Sequence, residues 1–217
     1  GNAMSADVQR TSGISETGGA VRKALVTGGS RGIGRGIARV LAAEGYDIAI
    51  TYASQREQAE AVAEEIRARF GRFCVVIQAS LELEDVPGAT VQTAFRELGG
   101  LDVLVNNAGI TRFNEGIDED AAKLNAVVDL DFKAYMLATA AAARLMVDRG
   151  VRGAIVNITS SRAERAYPED AFYGAVKAAV KRATESLALK YAPHGIRVNC
   201  VAPGATVNNF GQGIDFN

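Results

Sequence analysis

The chain holds 217 residues, of which 23 are glycine, where average usage would give roughly 15. Only 4 prolines and 48% hydrophobic residues exclude a collagen-like or disordered chain. A formal net charge of −1 leaves no general basic field for nucleic acid, and no apolar run reaches the ~18 residues that a bilayer span needs.

Two cysteines make no disulfide framework, and no secretory signal is visible, so the expected compartment is the cytoplasm. Cys74 and Cys200 sit in strand-like runs and read as free thiols. The single histidine, His194, cannot build a histidine metal cluster, and there is no CxxC, so metal catalysis is set aside. A chain of this size buries roughly 70% of its surface, which suits one domain.

Residues 1–20 are polar and aperiodic, with Gly1-Asn2-Ala3 before Met4 resembling a tag remnant. The expectation is a tail over 1–20 and one dinucleotide-binding catalytic domain over 21–217. Short β-branched runs predict strands at Lys23–Thr27, Tyr46–Tyr52, Phe73–Gln78, Asp102–Asn106, Ala154–Thr159 and Ile196–Val201. Helical patterns fall between them near 33–44, 55–69, 84–98, 118–147 and 170–191. Apolar strands alternating with helices predict an α/β fold: one doubly wound, Rossmann-type parallel sheet with helices on both faces. Residues Gly211–Phe216 read as the start of another strand. They follow Gly204 too closely for a crossover helix, which implies a shortened chain or an omitted segment.

Thr27-Gly28-Gly29-Ser30-Arg31-Gly32-Ile33-Gly34 follows the first strand and opens the first helix. That context marks a dinucleotide fingerprint. Gly28 turns the chain off the strand, Gly32 admits a pyrophosphate close to the backbone, and Gly34 lets the helix pack tightly. The phosphates then meet free N–H groups at the positive end of the helix dipole. An NAD site commonly carries an acid at the end of the second strand. Here Tyr52-Ala53-Ser54-Gln55-Arg56 offers none. Arg31 and Arg56, with Ser54, suit a ribose 2′-phosphate, so NADP(H) is favoured over NAD(H).

The fifth strand delivers Ser160, and Tyr173 and Lys177 follow one helical turn apart, so they share a face. These three suit hydride transfer to a carbonyl. Negative charge grows on the oxygen and needs a proton. An ordinary phenol is a poor donor–acceptor near neutrality, and a neighbouring ammonium is expected to lower its pKa. Ser160 can orient the substrate oxygen.

With TGGSRGIG at 27–34, NNAG at 106–109, Ser160, Tyr173-x-x-x-Lys177 and Pro203-Gly204, the chain resembles the short-chain dehydrogenase/reductase family over residues 22–210. The resemblance implies that Ser160, Tyr173 and Lys177 are catalytic, and that Asn107 lies beside the cofactor ribose with Ala108 and Gly109 shaping the passage. It also implies that Pro203, Gly204 and Thr206 border the nicotinamide. Two positions depart from the family pattern. Asp131 stands where the family usually places a catalytic asparagine, and Gln78-Ala79-Ser80-Leu81 offers Ser80 near the adenine instead of an aspartate.

Within the family, TGGSRGIGRGIA and NNAGITR resemble 3-oxoacyl-(acyl-carrier-protein) reductases. LALKYAPHGIRVN resembles glucose 1-dehydrogenase-like sugar dehydrogenases. A non-catalytic dinucleotide-binding regulator is the rival of another class. Helices 121–147 and 170–191 carry more than one apolar stripe. With the resemblance, this implies a homo-oligomer, a dimer or tetramer joined through them. The other expected partner is a small-molecule or acyl-thioester substrate, with no nucleic acid and no membrane.

Overall fold

The structure is a computed structural model that describes residues 19–110 and 120–203. Six strands form one parallel sheet among the described residues: β1 (Lys23–Val26), β2 (Asp47–Tyr52), β3 (Cys74–Gln78), β4 (Val103–Asn106), β5 (Ala154–Ile158) and β6 (Arg197–Val201). The order across the sheet is β3-β2-β1-β4-β5-β6. Each predicted strand is present, shortened by at most one residue at an end. The predicted strand at 211–216 lies outside the described residues.

Alternation along each strand sorts its side chains onto two faces. Ala24 and Val26, Ile48 and Ile50, and Val103 and Val105 pack on one face under α1 (Gly32–Ala43) and α2 (Arg56–Phe70). Leu25, Ala49, Leu104 and Ile155 face the other way, under α3 (Val86–Leu98) and α5 (Ala134–Arg149). The last turns of α6 (Ala171–Tyr191) join that second face through Leu187, Ala188 and Tyr191. The four inner strands β2, β1, β4 and β5 are covered on both faces, which is why their runs are mostly apolar, while the edge strand β6 exposes Asn199.

One element differs from expectation. The helix predicted over 118–147 is α4 (Ala121–Val128), a π-helical turn (Asp129–Lys133) and then α5. The Ala134 N–H reaches back five residues to the Asp129 carbonyl. Asp120 caps α4, its carboxylate accepting from the Ala122 and Lys123 N–H groups. No glycine or proline marks the π turn, so nothing in the local sequence separates it from an α-helix. Single π turns commonly sit at functional sites, and this one carries Asp131.

β1 and β4 are neighbours whose crossovers run in opposite directions, so the order reverses between them. Such a reversal opens a crevice beyond the carboxyl ends of the strands. The glycine loop leaves β1 there, Asn107–Gly109 leaves β4, and Ser160 lies two residues past β5.

Candidate active site

The glycine loop is held from below. Thr51 Oγ1 accepts the Gly28 N–H at 2.9 Å. Thr27 Oγ1 accepts the N–H groups of Asn107 and Ala108 at 2.9 and 3.1 Å. Asn107 returns two bonds, donating from Nδ2 to the carbonyls of Thr27 and Gly28 at 3.2 Å each. The loops after β1 and β4 are therefore one unit. A side chain at Gly34 would put its Cβ 2.1 Å from the Gly28 carbonyl oxygen and 2.5 Å from Asn107 Nδ2. Gly34 thus packs against the loop and its asparagine clamp. Gly32 is the opposite case: its φ is +56°, and nothing lies within 4 Å of where a Cβ would stand.

No side chain caps the start of α1, and its first turn holds no acidic residue. Its N–H groups and dipole are therefore available to an anion. A backbone cradle open at Gly32, closed behind by Gly34, fits a dinucleotide pyrophosphate. Arg31 and Ile33 flank it and are exposed, with Ser30 beside them. At the end of β2, Ser54 and Arg56 are exposed and Tyr52 is partly covered. The Arg56 side chain also pairs with Glu60 at 3.9 Å. Ser80 accepts from Gln78 Nε2 at 3.3 Å, while the Leu81 side chain packs with Ala79 and Ala134. Pro203 is described and half-buried, but Gly204 and Thr206 lie outside the described residues.

The second cluster gathers around Lys177, which is 4% exposed. Its Nζ donates to the Ile158 carbonyl at 3.3 Å and to the Tyr135 hydroxyl at 3.4 Å. The ammonium lies 5.7 Å from the Tyr173 ring centroid. Ser160 lies close enough to Tyr173 to favour its phenolate, and its Oγ accepts the Arg162 N–H at 3.2 Å. Arg162 in turn pairs with Asp170 at 3.0 Å and lies 4.2 Å from the Tyr167 ring centroid. These contacts pin the segment between Ser160 and α6.

Asp131 is fully buried in the π turn. Its Oδ1 accepts the Ile110 N–H at 2.8 Å, while its buried Oδ2 has no hydrogen-bond partner among the described residues. Gly109 makes room for it: a Cβ there would stand 2.7 Å from Asp131 Oδ1.

Burial governs the protonation of this cluster. It pushes the Asp131 carboxyl up to about 6, against the pull of Lys177 and of the Ile110 N–H. Lys177 is pushed down by its own burial, although the Asp131 charge holds it up. The Tyr173 phenol is raised by burial and by Asp131, with Ser160 and Arg162 acting against them. The direction is opposite to the expected lowering of Tyr173: burial and the Asp131 carboxylate outweigh Ser160 and Arg162.

Sequence reasoning brought Ser160, Tyr173, Lys177 and Asp131 together, and they do converge. It missed Tyr135, Thr51 and a buried polar row. In that row Asn106 Nδ2 donates to Asn157 Oδ1 at 2.9 Å and to Thr139 Oγ1 at 3.1 Å, and Asn157 Nδ2 donates to Thr184 Oγ1 at 3.1 Å. The available signal was an asparagine in the apolar runs LVN and IVNI.

A family profile described as short chain dehydrogenase matches residues 22–215. The 3-oxoacyl-[acyl-carrier-protein] reductase of Staphylococcus aureus is 43% identical over 188 residues, 87% of this chain and 76% of that protein. The corresponding reductase of Synechocystis is 39% identical over 181 residues, 83% of this chain and 72% of that protein. Among solved structures, a short chain dehydrogenase from Burkholderia cenocepacia in complex with NADP is 41% identical with a TM-score of 0.78. It matches over 84% of this chain and 74% of its own. An acetoin dehydrogenase from Enterobacter cloacae is 35% identical with a TM-score of 0.81, over 89% of this chain and 77% of its own. The chain belongs to the short-chain dehydrogenase family. It is an NAD(P)-dependent oxidoreductase of that family.

Proposed function

We propose that this protein is an NADP(H)-dependent ketoreductase acting on 3-oxoacyl thioesters. The convergence of Ser160, Tyr173 and Lys177 beyond the end of β5 carries the reading. The reductases from Staphylococcus aureus and Synechocystis support the substrate class. The Burkholderia cenocepacia structure with NADP supports the cofactor.

When bound, the reduced nicotinamide supplies a hydride to the substrate carbonyl carbon. The protein's own residues manage the oxygen. Ser160 donates a hydrogen bond that holds the carbonyl oxygen in place. Tyr173, a protonated phenol at neutral pH, gives its proton to the oxygen as negative charge develops. Lys177 sets a buried positive charge behind Tyr173, which favours the phenolate left after transfer. Asp131, held by the Ile110 N–H, keeps that ammonium charged.

In this reading Gly28, Ser30, Gly32, Ile33 and Gly34 cradle the pyrophosphate, and Arg31, Tyr52, Ser54 and Arg56 surround the 2′-phosphate. Ser80 and Leu81 border the adenine. Asn107, Ala108 and Gly109, with Tyr173 and Lys177, hold the ribose, while Pro203 borders the nicotinamide. Residues 21–217 form one catalytic domain. No helix among the described residues is long and apolar enough to cross a membrane; the proposed cytoplasmic location rests on the similarity to the 3-oxoacyl-[acyl-carrier-protein] reductases. The second apolar stripes of α5 and α6 motivate a homo-oligomer joined through these helices.

NADPH oxidation with 3-oxoacyl thioesters, simple ketones and diketones, alongside NADP⁺ reduction with sugars and polyols, tests the assignment. The expected result is the highest kcat/KM on a 3-oxoacyl thioester. Preference for a sugar or polyol would move the protein to the sugar-dehydrogenase reading. Cofactor binding without turnover on any of these compounds would favour a regulator.

A further inference from the structure

Tyr135 lies 1% exposed in an alanine-rich stretch of α5. A phenylalanine would fill the same space without a hydroxyl to satisfy. The hydroxyl hydrogen is directed to the Ile158 carbonyl, 3.3 Å away. An oxygen lone pair then faces the Lys177 ammonium at 3.4 Å. Lys177 donates to the same Ile158 carbonyl at 3.3 Å, which closes a triangle of ammonium, hydroxyl and carbonyl. The ammonium also lies 4.9 Å from the Tyr135 ring centroid, so it has a tyrosine ring on two sides. The Tyr135 main chain is fixed as well, its carbonyl accepting from Asn106 Nδ2 at 3.4 Å.

We propose that Tyr135 is a positioning residue of the reaction: with the Ile158 carbonyl, it seats the Lys177 ammonium behind Tyr173 and keeps it charged there. This rests on Tyr173 and Lys177 being the acid–base pair. The groups facing the ammonium are Asp131 from the π turn, Tyr135 from α5, Tyr173 from its own helix and Cys200 from β6. Arg162 and Asp170 face Tyr173 from the other side. Burial, together with Asp131, Tyr173 and Cys200, holds the Tyr135 phenol well above its ordinary range. Tyr135 therefore stays a neutral dipole and carries no proton itself. Its contribution is an acceptor for a cation that has left water, where a missing partner is costly.

Tyr135→Phe keeps the ring and deletes the acceptor. The alkaline limb of kcat/KM for carbonyl reduction is expected to move about half to one pH unit lower, because the ammonium is less well held. At neutral pH, kcat is expected to fall about 3- to 10-fold. A wild-type pH profile overturns the proposal, even if the melting temperature falls, because a packing role alone would move only the latter. If Tyr135→Phe does not fold, 3-fluorotyrosine installed at position 135 alone keeps the shape and weakens the acceptor. A limb displaced to lower pH supports the proposal, and a superimposable one overturns it. Tyr173→Phe is measured in parallel. If that variant turns over like wild type, the acid–base assignment fails and this proposal with it. If it is inactive while Tyr135→Phe keeps the wild-type limb, only this proposal fails.

Discussion

Asn106 and Asn157 are register partners on β4 and β5, and the side-chain amide of one donates to the oxygen of the other at 2.9 Å. Neither is more than 1% exposed. Thr184 continues the row by accepting from Asn157 and donating to the Val180 carbonyl at 2.7 Å, so β4, β5, α5 and α6 are tied together beneath the site. Asn106→Ala leaves buried acceptors unpaired. It is expected to cost about 1–3 kcal/mol, read as a lower urea midpoint at unchanged m-value. The double variant with Asn157→Ala is expected to cost less than the sum of the singles, because each removes a group that the other leaves stranded.

Asp131→Asn separates charge from shape. The Asp131 charge holds Lys177 up, so the amide variant is expected to move the alkaline limb of kcat/KM to lower pH. Stability carries a second, signed signature. The folded pKa of Asp131, about 6, lies above its ordinary value of 3.8. Such a group favours the fold below the unfolded value and loses that contribution as pH rises through the folded one. Between pH 4 and 7 the variant is expected to gain on wild type by roughly 2–3 kcal/mol. Urea denaturation at the two pH values measures the difference.

The glycine loop gives a contrast between two single-methyl changes. Gly34→Ala would force a Cβ to 2.1 Å from the Gly28 carbonyl, against backbone that cannot move aside cheaply. It is expected to disrupt the loop and lower stability by about 2–4 kcal/mol. Gly32→Ala meets no atom in the protein and carries only the strain of a φ of +56°, about 1–2 kcal/mol. Its methyl group would enter the cradle, so the fold is expected to survive while NADPH affinity falls. Fluorescence titration with NADPH, beside thermal melting, distinguishes the two.

The sheet was legible because its inner strands are covered on both faces, which leaves short apolar runs between helices. Ser160, Tyr173 and Lys177 were legible because each lies at a strand end or on a shared helical face that spacing alone defines. The π turn was not, since Asp129–Lys133 has the same composition as a helix and differs only in which carbonyl each N–H selects. Tyr135 was hidden for a related reason. On sequence it is one more large residue on a buried helix, and its partner Lys177 is 42 residues away. The sign of the Tyr173 shift depends on burial, which no local pattern encodes.

In this reading Tyr173 protonates the carbonyl oxygen, while the glycine loop carries most of the hold on the cofactor. NADPH oxidation by Tyr173→Phe with a 3-oxoacyl thioester, paired with NADPH titration of the same variant, tests both halves at once. The expected result is an NADPH affinity lowered no more than about 5-fold, by loss of the Tyr173 hydroxyl from the ribose, and a kcat lowered about 10²- to 10⁴-fold. Turnover by Tyr173→Phe at the wild-type rate would contradict it.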